Sequence, residues 1–265
     1  KVLDLPDLTV DGSFTLGSAV SAVVNLHASP YLGLVLSFIA GVIAGIVTGL
    51  LITKLKIMPL LAGILTMSGL YSVNLMIMNE TPNLSLFGYK TVFSQLETIT
   101  PYAKIIIIYA LVITLVVLLD LFLRTQLGLS LRACGDNEAM VKASSIDSDK
   151  MKVLGLALAN GLVSLSGAIF AQHQSFADIT NGTGMMVIGL ASIIVGMTFI
   201  KKEKILMQLI AVVFGAIFYR CILSIALQFG LPSGYLKLLS AVLVVIALAM
   251  TNGSLKSKKR GRKSC

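Results

Sequence analysis

Few residues of this 265-residue chain carry reactive groups at a spacing that chemistry could use. His27 and His173 are isolated near the ends of apolar stretches, where a hydrogen-bonded interfacial imidazole explains them better than acid–base catalysis. No G-x-x-x-x-G-K-S/T occurs, so no P-loop for ATP is offered, and neither G-x-S-x-G nor H-E-x-x-H is present. Cys134, Cys221 and Cys265 have no metal-type spacing and no evident disulfide partner. Arg220 is the one ionisable group deep inside an apolar stretch. It either faces a polar pathway and meets an anionic group there, or it pairs with a helix-end carbonyl or snorkels to the interface. Asp120 and Arg124 stand four apart, the spacing of an ordinary helical ion pair.

The densest polar segment runs from Arg124 to Lys152 and contains GDNEAMVKASSID. Asp136 or Asn137 can cap a short helix from Glu138 to about Ala143, and Ser144 to Asp149 offer a second cap. A short charged helix between two longer ones is a natural docking knob for a partner; a solvated loop would need no such cap pattern.

The elements that must position these groups are set by where charge is missing. No Asp, Glu, Lys or Arg occurs from Gly12 to Thr53, Ile57 to Asn79, Val153 to Ala177, Ile179 to Ile200 or Leu238 to Leu255. A hydrocarbon slab about 30 Å thick demands about 20 apolar residues of a helix. The chain is 56% hydrophobic and 12% charged, against about 25% charged in soluble domains. The expectation is an all-α, polytopic bundle of transmembrane helices with no separate soluble domain: a membrane domain over 1–252 and a basic tail over 253–265. The chain has no tryptophan, so any aromatic belt uses Tyr and Phe.

Net charge is +9, and sixteen of the 21 Lys and Arg fall into four segments: Lys54 with Lys56; Arg124 to Lys152; Lys201, Lys202 and Lys204; and Lys256 to Lys263. Basic loops are retained on the cytoplasmic side. Placing all four there predicts an apolar segment over 14–28, helices over 32–53 and 57–78, an external loop over 79–102, and helices over 103–123 and 153–173. A short segment over 185–200, a helix over 205–228, a turn at Gly230 to Gly234 and a helix over 236–251 follow. The tail KSKKRGRK reads as solvated and lipid-facing, not as a nucleic-acid site.

DGSFTLGSAVSAVV at 11–24 resembles NGTGMMVIGLASIIV at 181–195, with Gly12 and Gly17 spaced like Gly184 and Gly189. Each copy follows a polar break, and the topology runs them in opposite directions. Two inverted repeats with broken or re-entrant helices place a transport pathway between the copies. Small residues also recur at helical spacing, as Gly41, Ala44, Gly45 and Gly49 and as Gly155, Ala159, Gly161 and Gly167, which suits close helix packing.

The segment LRACGDNEAMVKASSIDSDKMKVLGLALANGLVSLSGAI resembles the cytoplasmic coupling region and following helix of ABC importer permeases of the branched-chain amino acid and ribose type. LDLPDLTVDGSFTLGSAV resembles that family's broken second helix. The resemblance covers essentially the whole chain and implies a multi-pass protein of the bacterial cytoplasmic membrane, with basic loops and C-terminus inside. It implies a first helix preceding this sequence, a second permease subunit (identical or not), two cytoplasmic ATPases that hold the ATP and magnesium, and an extracytoplasmic solute-binding protein. This chain would bind no cofactor and do no covalent chemistry. Gly135, Asp136, Asn137, Glu138, Ala139, Ser145, Ile146 and Asp147 would form the ATPase-coupling segment. Asp11, Gly12, Ser13, Asn181, Thr183 and Gly184 would line the pathway, joined by Arg220 if it faces inward. The motifs are most similar to permeases for amino acids, with an aromatic branch nearest. A same-fold permease for a sugar or nucleoside, and a stand-alone ion-coupled carrier or channel, are the rivals. Scarcity of intramembrane carboxylates argues against the carrier. If the coupling segment docks the ATPase, reversing Glu138 and Asp147 to Lys abolishes that association and leaves membrane insertion intact.

Overall fold

The computed structural model describes residues 3, 5–97, 103–144, 146–199, 204–229, 238, 241, 242 and 245. Ser145, Lys201 and Lys202, the turn at Gly230 to Gly234, most of the helix expected over 236–251, and the tail 253–265 with Cys265 lie outside the described residues. The chain divides into two compact units, Lys1–Met185 and Met186–Cys265.

In the first unit, helices α1 (Thr9–His27), α2 (Pro30–Thr53) and α3 (Pro59–Ile77) lead to strand β1 (Asn83–Ser85). Helices α4 (Val92–Glu97), α5 (Ala103–Arg124), α6 (Gln126–Asp136), α7 (Glu138–Ala143) and α8 (Ser148–Gln174) follow, then strand β2 (Phe176–Asp178). The second unit contains α9 (Met185–Phe199), which starts at the boundary, and α10 (Ile205–Gln228). Among the described residues α2, α3, α5, α8 and α10 are long and apolar enough to cross a membrane. The all-α polytopic expectation holds, and the chain is an integral membrane protein.

Local sequence sets the helix starts. Ser29 caps α2 by accepting from the Leu32 amide at 3.4 Å, and Pro30 takes the first helical position, where its missing N–H costs nothing. Pro59 opens α3 in the same way. Helix α8 ends at Ser175, whose φ of 59° is left-handed and turns the chain into β2.

Two expectations need correction. The first apolar segment is longer than 14–28: α1 begins at Thr9, so Asp11, Gly12 and Ser13 lie inside its first turns and not in a break before it. The loop expected over 79–102 also contains structure. Its β1 pairs antiparallel with β2, Leu84 opposite Ala177, and α4 follows. The ladder and helix packing meet in a core of Ala19, Ala22, Met78, Leu86, Ala171 and Ala177.

Helix α1 is enclosed by α2, α3 and α8. Glycines make the approach possible. A methyl at Gly45 would collide with the Leu156 carbonyl, one at Gly41 with Ser164 and the Asn160 carbonyl, and one at Gly49 would come within 2.9 Å of the Val153 backbone. These three positions, four apart, form the α2 seam against α8. Gly17 of α1 meets the Ser164 carbonyl, and Gly167 of α8 meets that of Phe14. In a bilayer no hydrophobic effect draws helices together, so close backbone contact supplies the attraction. Outward residues such as Val35, Ile43, Ile106, Ile113 and Leu121 are exposed, as lipid contact requires.

Candidate functional site

The first turns of α1 collect the polar groups of the first unit. Asp7, just before the helix, accepts the Thr9 amide at 2.9 Å through Oδ1 and the Asn160 side-chain amide at 2.8 Å through Oδ2. Asn160 Oδ1 accepts from Ser13 Oγ at 2.7 Å. Thr9 and Thr48 share a hydroxyl hydrogen bond of 3.0 Å. Further along, Ser164 Oγ donates to the Ser37 carbonyl at 2.6 Å, and Ser37 Oγ to that of Gly17 at 3.0 Å. Gln172 donates to Ser21 Oγ at 3.0 Å and the Pro30 carbonyl at 2.9 Å, and accepts the Val92 amide at 3.2 Å. Thr9, Ser13, Ser18, Ser21 and Asn160 are completely buried. Such groups in a membrane bundle must be satisfied internally, and this network largely does so.

The turn after β2 packs onto the same place. The Gly184 amide donates to Asp11 Oδ2 at 2.8 Å. A side chain at Gly182 would collide with the Asp11 carbonyl and Thr15 Oγ1, so only glycine allows this approach. Asn181 and Thr183 flank it; their amides donate to the Asp178 and Thr180 carbonyls at 3.1 and 3.0 Å. From the opposite flank, Asn74 of α3 donates to the Gly12 carbonyl at 3.3 Å. The structure therefore brings Asp11, Gly12, Ser13, Asn181, Thr183 and Gly184 around one turn. Arg220 belongs to the second unit, on an exposed face of α10 with Ala216, Ile217, Cys221, Ser224 and Ile225.

Asn74 and Asn160 were not among the residues expected from sequence, nor was Asp7, which lies outside any span. The signal for Asn74 and Asn160 is a lone amide in an apolar run, because a polar group in lipid needs a reason to be there as much as a charge does.

The coupling candidates form a compact corner. Thr125 caps α6, accepting the Gly128 amide at 3.3 Å, and Gly135 and Asp136 end that helix. Asn137 caps α7, accepting the Met140 amide at 3.1 Å, so the short helix Glu138–Ala143 forms as its caps predict. Asp147 caps α8 through the amides of Asp149 and Lys150, at 3.1 and 3.2 Å, which holds its carboxyl below the usual range. Glu138 bonds Lys142 at 2.8 Å, Lys152 at 2.7 Å and Ser148 at 3.3 Å. The two lysines, Lys142 foremost, lower its pKa to about 2. Ile146 is half-buried, its amide on the Val141 carbonyl at 3.3 Å. Cys134 is buried against Ser148, and burial pushes its thiol up.

Glu138 is thus tied to Lys152 of α8, whereas Asp147 caps its own helix with a side chain 49% exposed, so reversing both removes an ion pair and a helix cap as well as testing a partner. On α7 itself Ala139, Met140, Lys142 and Ala143 are exposed, while Val141 is buried beneath. The Asp120–Arg124 pair forms as its spacing predicts, at 2.9 Å. Among the described residues no cluster of His, Cys, Asp or Glu could hold a metal. What the α1 site presents is hydroxyls, amides and carboxylates gathered inside a bundle of apolar helices.

Comparison with known proteins agrees with that chemistry. Residues 2–250 match the family model described as branched-chain amino acid transport system / permease component. The chain is 39% identical, over 99% of its length and 88% of the relative's, to the tyrosine transport system permease protein of Clostridioides difficile (strain R20291). It is 26% identical to the ribose import permease protein of Escherichia coli (strain K12), over 93% of the chain and 77% of the relative. The ribose import permease protein of Bacillus subtilis (strain 168) is also 26% identical, over 92% and 75%. No solved structure matches the chain. With its whole membrane-embedded length matched, the chain belongs to the family of permease components of branched-chain amino acid transport systems.

Proposed function

We propose that this chain is the permease subunit of an ATP-driven importer and carries an amino acid, with tyrosine or a close aromatic relative the first substrate to test. The observation that carries this is the 39% identity, over nearly the whole chain, to a tyrosine transport permease. The geometry supports it: along α1, groups of buried polar side chains stand inside a shell of apolar helices. Solute would pass along Asp11, Gly12, Ser13, Asn181, Thr183 and Gly184.

The chain works with a second permease subunit, two cytoplasmic ATPases that bind ATP and magnesium, and an extracytoplasmic binding protein. It sits in the bacterial cytoplasmic membrane with its basic loops and C-terminus inside. The α6–α7–α8 corner docks the ATPase through Ala139, Met140 and Ala143. The Glu138–Lys152 pair ties α7 to α8, and a push on the knob would travel through that tie.

The test is ATP-dependent uptake into proteoliposomes holding the complete transporter, with L-tyrosine, L-leucine and D-ribose supplied separately. Uptake of tyrosine that stops without ATP supports the reading. Uptake of ribose alone moves the chain to the sugar rival. Uptake independent of ATP removes the importer class.

A further inference from the structure

Gln172 marks where one end of the first unit leaves the bilayer. It stands about 30 Å along α8 from Lys152, with no charged residue between them, and that is the thickness of a hydrocarbon core. Its side-chain amide donates to the Pro30 carbonyl at 2.9 Å, and its oxygen accepts the Val92 amide at 3.2 Å. The starts of α2 and α4 therefore lie at this level. Phe93, next to Val92, meets the His173 ring edge-on, with centroids 5.5 Å apart.

Two aromatic protrusions occur here. Tyr31, beside Pro30, is 53% exposed and heads a row four apart, Val35, Ile39, Ile43 and Val47, all exposed: the lipid-facing stripe of α2. The other protrusion is the turn Leu86–Tyr89. Leu86 is 1% exposed, clusters with Ala171 and Ala177, and donates its amide to the Ser175 carbonyl at 2.9 Å. The Tyr89 amide donates back to the Leu86 carbonyl at 3.1 Å, and Gly88, at φ 88°, supplies the conformation such a turn needs at its third position. Pinned at its base, the turn pushes Phe87 outward. That ring is 88% exposed, Tyr89 is 51% exposed, and Lys90 is exposed beside them.

The two rings of the turn expose roughly 300 Å², at about 200 Å² per aromatic side chain, whereas a specific protein interface takes about 500 Å² from each partner. The boundary of a bilayer matches the patch better, because it offers acyl chains to a ring and headgroups to a phenol and an ammonium. We propose that the turn Leu86–Tyr89 is a lipid anchor which, with Tyr31, holds this end of the bundle at the bilayer surface. Phe87 sits among the upper acyl chains, the Tyr89 hydroxyl at the headgroups and the Lys90 ammonium on a lipid phosphate. The anchor is independent of which solute is carried, since it uses none of the pathway residues.

The chain has no tryptophan, so one introduced at a chosen position reports on that position. The experiment is fluorescence of Phe87→Trp in the full permease chain, reconstituted in phosphatidylcholine vesicles and read as the difference from wild type. A share of the lipid carries bromine either near the top of its acyl chain or near the end. Ile113→Trp, on the exposed face of α5, is the depth standard. The expected result is blue-shifted emission from Phe87→Trp, quenched more by the upper bromines than by the lower ones, with the reverse order for Ile113→Trp. Red-shifted emission quenched by iodide in the water overturns the anchor. Blue-shifted emission that neither bromine touches means that protein covers the ring, and overturns it equally. Should Phe87→Trp fail to fold, Tyr89→Trp gives the same reading. Phe87→Ser tests the holding itself: amide hydrogen exchange of the turn in vesicles is expected to quicken, and unchanged exchange overturns the anchoring role.

Discussion

Helices α1 and α5 are of similar length, 19 and 22 residues, and they are inverted in character. α1 buries Thr9, Ser13, Thr15, Ser18, Ser21 and Asn25 among three neighbours. α5 is nearly uniform Ile, Leu and Val, and only 6% of its apolar window is buried. In water the apolar helix would be the core. In lipid the tails already solvate Ile and Leu, so what needs enclosing is the polar helix. Hydropathy therefore ranks α5 as a span and passes over α1, the helix at the centre of the unit. Enclosure of polarity is what sets α1 apart from a helix that only anchors the chain in lipid.

That contrast can be broken most violently at the backbone contact. Gly17→Leu forces a side chain into the Ser164 carbonyl, and we expect a loss of more than about 4 kcal/mol, seen as failure to recover folded protein. Gly189→Ala, at an exposed position with open space around it, is expected within about 0.5 kcal/mol of wild type by thermal melting in detergent. Next in size is Asn160→Leu, which deprives Ser13 and Asp7 of their partner at about 1–3 kcal/mol for each stranded group. If apolarity in the core were what mattered, this substitution would raise the melting temperature, and that result would sink the enclosure argument.

The lipid side is probed by Ile113→Asp on α5, 61% exposed, expected to cost about 2.5–3.5 kcal/mol of membrane insertion. An insertion assay that finds no penalty would place that face in water or against protein. The smallest effect lies outside the membrane, at Glu138. Its pKa is lowered to about 2 from 4.5, so its charged form stabilises the corner fully above about 4.5 and loses that contribution as pH falls towards about 2. The side chain is 38% exposed, so water screens it, and Glu138→Gln should cost under about 1 kcal/mol at neutral pH. Faster amide hydrogen exchange confined to α7 would confirm it; no change would make the ion pairs ornamental.

The two glycine-rich copies carry the lesson about legibility. Their matching spacing suggested one local structure used twice, yet the first copy runs as helix through Asp11–Gly12–Ser13 while the second is a turn through Asn181–Gly184, with Gly184 at φ 89°. Gly12 and Gly17 are there for tight packing, Gly184 for its backbone conformation, and Gly189 has open space around it. Spacing alone could not tell these uses apart, because each depends on what stands opposite.

What the sequence determined by itself is the part written in local chemistry and composition. Charge-free runs dictate spans, because lipid tolerates little else. Asn137 and Asp147 dictate where α7 and α8 begin, because a cap bonds amides two or three residues away. Only the tertiary structure decided that α1 is the enclosed helix, that Asp7, Asn74 and Asn160 converge on its first turn, and that Glu138 is fastened inward to Lys152. Those contacts join residues from 14 to 153 positions apart, and nothing in the flanking sequence of either partner specifies the other.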